Sequence, residues 1–159
     1  MSVTVKGGIL IGVLCGAWTL VMGLTGWYKD PVLLNAFFLV ILMQIGVMIW
    51  ALRQTAAAGK TYGGQIGAGA LMSVVGGGIL FCASFLFTMV LFPHYFEELR
   101  ALQIEMLKKA GTSEAEISAQ LQASAAVQTP FMQALFGFIG TVVTGLIASL
   151  IIGVFYRKK

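Results

Sequence analysis

The stretch VLLNAFFLVILMQIGVMIWAL, Val32 to Leu52, decides the fold class. It contains no Asp, Glu, Lys, Arg or His. A helix rises about 1.5 Å per residue, so about 20 such residues span the roughly 30 Å hydrocarbon core of a bilayer. Backbone groups in lipid must be bonded within their own segment, which makes the run a helix. Three further runs pass the same test: Gly7 to Trp27, about Gly64 to Phe92, and about Phe131 to Phe155. Nothing alternates with the dyad period of a membrane barrel. The reading is an all-α integral membrane protein with four transmembrane helices, near residues 7–27, 32–52, 64–92 and 131–155. It forms a single membrane domain over 1–159, with an extramembrane helical hairpin over 93–130.

Composition agrees with that class. The chain is 58% hydrophobic and 10% charged, against roughly 45–50% apolar and about 25% charged in a soluble domain. The net charge of +4 is small. No basic stripe interleaves with aromatic residues, which excludes a nucleic-acid partner. The first run follows Lys6 and superficially resembles a signal peptide, but it is too long and lacks a small-x-small cleavage site before YKDP. The expectation is a retained span.

Charge sets the orientation. Four spans put both termini and the Arg53–Tyr62 turn on one side. That side carries Lys6, Arg53, Lys60, Arg157, Lys158 and Lys159 and no acid. The other side carries Lys29, Arg100, Lys108 and Lys109 against Asp30 and five glutamates. Positive charge near span ends stays in the cytoplasm, so both termini are expected inside. Trp27, Tyr28 and Tyr95 then fall at the outer interface, and Trp50, Tyr62 and Tyr156 at the inner one.

The acids gather in the segment PHYFEELRALQIEMLKKAGTSEAEI, Pro93 to Ile117, where no ionised group meets hydrocarbon. Tyr95, Leu99, Leu102 and Met106 share one helical stripe. Glu97, Glu98, Glu105, Lys108 and Lys109 take the opposite, solvated arc, with Glu105 and Lys109 an i,i+4 pair. Gly111 ends the helix. Ser113 with Glu116 makes a capping box for a second one. A helix of this length is marginal in water, so its stripe needs cover. The end of the membrane bundle or a protein partner can supply it; an acidic arc disfavours lipid headgroups.

Small residues mark the helix contacts. Gly8, Gly12 and Gly16 form one small-xxx-small ridge, and Thr141, Gly145, Ser149 and Gly153 another. Each ridge suits either a contact within the monomer or a surface for another chain. The triplet Gly76–Gly78 predicts a kink or a close helix crossing. Gln44, an amide deep in the second span, predicts an interhelical hydrogen bond ahead of a substrate contact. Cys15 and Cys82 are expected as separate, buried thiols within spans. His94 has no metal-ligand companions and reads as an interfacial histidine. No nucleophile pairs with a base and no cofactor is indicated, so the expectation is a protein that is not an enzyme.

The segments GKTYGGQIGAG (59–69), AGTSEAEI (110–117) and TPFMQALFGFIGTVVTGLIASLIIGVFYRKK (129–159) resemble a bacterial family, the domain of unknown function 4199 family. The resemblance implies a small four-span protein of the bacterial cytoplasmic membrane and no catalytic residue. Three functions follow for testing. The first is an accessory or scaffold subunit that binds another membrane protein through its glycine ridges or hairpin. The second is a small homo-oligomeric transporter, channel or lipid-handling protein. The third is a helper of a lipid-linked sugar enzyme. The absence of intramembrane ionisable residues counts against ion-coupled transport.

Overall fold

The computed structural model describes residues 1–156, and among these every regular element is helical. Arg157, Lys158 and Lys159, three of the cations in the orientation argument, lie outside the described residues. Four helices are long and apolar enough to cross a membrane: Val3–Thr25, Leu33–Ala57, Tyr62–Leu91 and Pro130–Tyr156. Within them the α-helical parts are α1 (Val3–Thr25), α2 (Leu39–Ala57), α3 (Tyr62–Leu86) and α6 (Pro130–Tyr156), with α4 (Tyr95–Lys109) and α5 (Glu114–Ala125) between the last two.

Local chemistry fixes the ends. Ser2 caps α1, and Gly26, at φ 70°, turns the chain out of it before Trp27. Asp30 Oδ1 then accepts from the backbone N–H groups of Val32 and Leu33 at 2.8 and 3.0 Å, starting the second span. That span opens as a 3-10 segment, Leu33–Phe38, none of whose residues is buried. Its other end runs past the sequence-based limit at Leu52 as far as Ala57. Arg53, Gln54 and Thr55 are unsuited to lipid, yet they are compatible with continuing the helix into water.

The helices run up and down, and α3 is the central one, with its most extensive contacts to α6 and α1. Gly8 and Gly12 of α1 meet α3 backbone to backbone. A Cβ added at Gly8 would lie 2.8 Å from the Met72 carbonyl oxygen, and one at Gly12 would lie 2.9 Å from that of Gly76. Gly16 faces Ala83. The second ridge seats on the other side of α3: Gly145 against Ser73, Ser149 against Gly69, and Gly153 against the Tyr62 ring. Both ridges are therefore used inside the monomer, which removes them as surfaces for another chain. Without a hydrophobic drive in lipid, such close seams supply the packing that holds the bundle.

The glycine triplet makes the two crossings possible. Gly76 abuts Ile11 and the Gly8 carbonyl, Gly77 abuts Phe138, and Gly78 faces open space. Successive helical residues point about 100° apart, so neighbours serve different partners. The helix stays continuous through the triplet, and its irregularity comes later, in a π-helical segment at Phe87–Leu91.

The turn between α4 and α5 forms with the capping chemistry seen in the sequence. Gly111 sits at φ 76°, and Ser113 and Glu116 make a reciprocal capping box. Lys109 and Glu105 pair at 2.6 Å.

Candidate functional site

At the end of the bundle that carries α4, the second span stands away from α3 and leaves a cavity of about 300 Å³. Its walls come from all four spans, at Thr19, Gln44, Ser84, Thr88, Thr141 and Thr144, with apolar side chains such as Ile41 and Phe136 between them. The gap has a local cause. Trp18 Nε1 donates to the Ala36 carbonyl at 2.9 Å, and Cys15 Sγ to that of Val40 at 3.7 Å. These bonds hold the 3-10 segment and the first turn of α2 to α1. Of the neighbours of α2, α3 is touched least.

Gln44 reaches across this space. It is 97% removed from solvent, and its Nε2 donates to the Thr141 carbonyl at 2.7 Å, tying α2 to α6. The interhelical bond expected from the sequence is present. Its Oε1 has no donor among the described residues. Thr19, Thr88 and Thr141 each give their hydroxyl proton to a carbonyl of their own helix, those of Cys15, Ser84 and Gly137, at 3.0, 3.0 and 2.8 Å. Their oxygen lone pairs remain as acceptors.

Tyr95 closes this end. It is 3% exposed, packed on Tyr28 and Phe87 with ring centroids 5.0 and 5.3 Å away, and it also lines the cavity. Cover for the α4 stripe is thus uneven. Tyr95 is buried in the protein's own aromatic cluster and Leu99 packs at its edge; Leu102 is half-buried, and Met106 is 45% exposed. The stripe is left uncovered only in its second half.

Glu98, assigned to the solvated arc, instead anchors the helix. It accepts from the Tyr28 hydroxyl and from Lys29 Nζ, the latter at 2.8 Å. Lys29 and then Tyr28 hold its carboxyl below the usual glutamate range. Burial first and Glu98 second push the Tyr28 phenol well above the ordinary tyrosine value, and burial likewise raises Tyr95 to about 12.

The remaining sequence candidates stay apart. His94 Nδ1 lies 3.0 Å from Glu97 on the surface. Both thiols are free; Cys15 is buried as expected, whereas Cys82, also expected buried, is on the exposed face of its helix. A second buried amide was missed. Gln65 is fully buried at the opposite end of the bundle. In the orientation that satisfies its neighbours, its Nε2 donates to Thr55 Oγ1 at 2.7 Å and its Oε1 accepts from the Ala56 N–H at 2.9 Å. Its nearness to Thr55 across a short turn was the available signal.

The fold, with four helices long and apolar enough to cross a membrane, defines an all-helical, multi-pass membrane protein. A family model described as protein of unknown function (DUF4199) matches residues 6–158, and the chain belongs to that family. No curated protein and no solved structure was found to match it.

Proposed function

We propose that this is a non-catalytic, lipid-handling protein of the bacterial cytoplasmic membrane, with both termini inside and α4 and α5 outside. The cavity carries the reading. Its volume lies at the lower end of the range for small-molecule sites, and it sets a few polar groups among apolar walls. The six-to-none cation excess at the terminal side supports the orientation.

The test is mass spectrometry of the full chain released from mild detergent, beside a Gly137→Leu variant that fills the cavity from α6. The wild type is expected to retain a lipid that the variant loses, with both unfolding at similar temperature. A lipid-free wild type, or equal retention by the variant, overturns the proposal.

A second reading, an accessory subunit, is favoured by the exposed Met106 end of α4. A native particle containing a second polypeptide, released by Met106→Glu, supports it; a homomeric particle removes it.

A further inference from the structure

Resting on the lipid-handling reading, we infer that the cavity takes the head of an uncharged lipid bearing a hydroxyl group, in preference to a charged head or one that only accepts hydrogen bonds. Three observations lead there.

The first is charge. Among the described residues that line the cavity, none is Asp, Glu, Lys, Arg or His. An ionised head placed there would lose its hydration with no counter-charge to replace it. Phosphate esters and ionised fatty acids are disfavoured on that ground.

The second is the direction of the hydrogen bonds. Gln44 Oε1 belongs to a side chain 97% buried, and no donor from the described residues reaches it. An acceptor at the cavity wall without such a donor gains a hydrogen bond from a ligand that brings a proton, so the site favours one. The hydroxyls of Thr19, Thr88 and Thr141 do not supply one, because their protons are committed to Cys15, Ser84 and Gly137.

The third is the complementary set. Ser84 and Thr144 line the same space, and their hydroxyls have no acceptor among the described residues. A hydroxyl head satisfies both kinds of wall at once: it donates to Gln44 Oε1 and accepts from one of these. An ether or ketone answers only the donors. Gln44 is therefore the specificity-determining residue. The chemistry is the same for a single-chain alcohol and for a diglyceride.

The experiment uses the full chain in phosphatidylcholine nanodiscs and a photoreactive long-chain alcohol, with cross-linked peptides located by mass spectrometry. Unlabelled dodecanol, its methyl ether, lauric acid and dilauroylglycerol compete. Cross-links are expected on the buried cavity walls around Leu80 and Thr88. Dodecanol should displace the probe at about one-tenth of the concentration the ether requires, since one hydrogen bond to a buried acceptor is worth about tenfold. Lauric acid should be weaker still at a pH where it is ionised, because entering the cavity then costs it its charge. Whether the diglyceride matches dodecanol decides the source of the hydroxyl. Gln44→Leu should bring ether and alcohol together, and the wild-type comparison stands alone if that variant fails to assemble. Cavity cross-links with equal competition by alcohol and ether overturn the hydroxyl inference and leave the lipid-handling reading intact. Cross-links confined to lipid-facing positions such as Leu42 and Ile147 overturn that reading itself.

Discussion

Tyr28 donates a hydrogen bond to Glu98, joining the short turn after α1 to the first turn of α4 across 70 residues of sequence. Lys29 closes on the same carboxylate at 2.8 Å. Through Tyr95, one turn earlier on α4, this anchor sits directly beside the cavity.

The anchor should weaken in acid. The folded-state pKa of Glu98 lies below its ordinary value of 4.5. Its contribution is therefore fully present above about 4.5 and is lost as pH falls through the lowered value. Both partners are well exposed, so the effect is under about 1 kcal/mol. Hydrogen exchange in the first turn of α4, corrected for intrinsic rate, is expected to speed up between pH 6 and pH 3. Glu98→Gln should remove that dependence, and an unchanged profile in the variant would assign it to another group.

The α1–α3 seam should be intolerant of a single methyl group. At Gly12 an added Cβ would lie 2.5 Å from Ile79 Cβ and 2.9 Å from a backbone carbonyl, whereas at Gly46 it would meet nothing within 4 Å. Gly12→Ala is expected to cost about 1–3 kcal/mol. Gly46→Ala should be neutral or gain up to about 1 kcal/mol in helix propensity. Thermal unfolding in detergent separates the two. Equal melting temperatures would mean that α1 and α3 do not touch at Gly12.

Removing the amide that ties α2 to α6 should loosen the bundle modestly. Gln44→Leu deletes the bond to the Thr141 carbonyl. Hydrogen bonds between membrane helices are worth roughly 0.5–1.5 kcal/mol. A fall in melting temperature of that size is expected, together with faster exchange along α2. A loss several times larger would show that Gln44 carries more than this one bond.

Orientation can be read by impermeant maleimide labelling with Cys15 and Cys82 replaced by Ala. A cysteine at Ser124, beyond α4, should react in cells whose outer envelope alone is permeabilised. One at Ala58 should react only after the inner membrane is broken. Ala58 is exposed, whereas Thr55 in the same region is buried and hydrogen-bonded to Leu52, which makes it a poor probe. The reverse pattern would invert the topology.

Much of this architecture is local, and local chemistry is what a sequence displays. Val32–Leu52 must be helical because lipid offers its backbone no partner. The α4–α5 turn is written in Gly111, Ser113 and Glu116, which act on residues within a few positions of themselves. The orientation proposal likewise rests on counting cations. The candidate site was legible only in part. Gln44 stood out as an amide in an apolar run, but Thr19, Ser84 and Thr88 looked like ordinary small polar residues, and Thr141 like one more member of a packing ridge. No pattern within one span shows that all four approach one point.

By itself, then, the sequence determined the helices, their number and their caps, because each depends on hydropathy and hydrogen bonding within one segment. Tertiary structure alone decided that both glycine ridges close on α3, that Glu98 answers Tyr28 and Lys29, and that α2 stands off to leave a cavity. Those outcomes depend on which faces of distant helices meet. In a membrane, where every outward face is equally apolar, the hydrophobic pattern does not say which way a helix turns; the close fit of small residues and a few interhelical hydrogen bonds does.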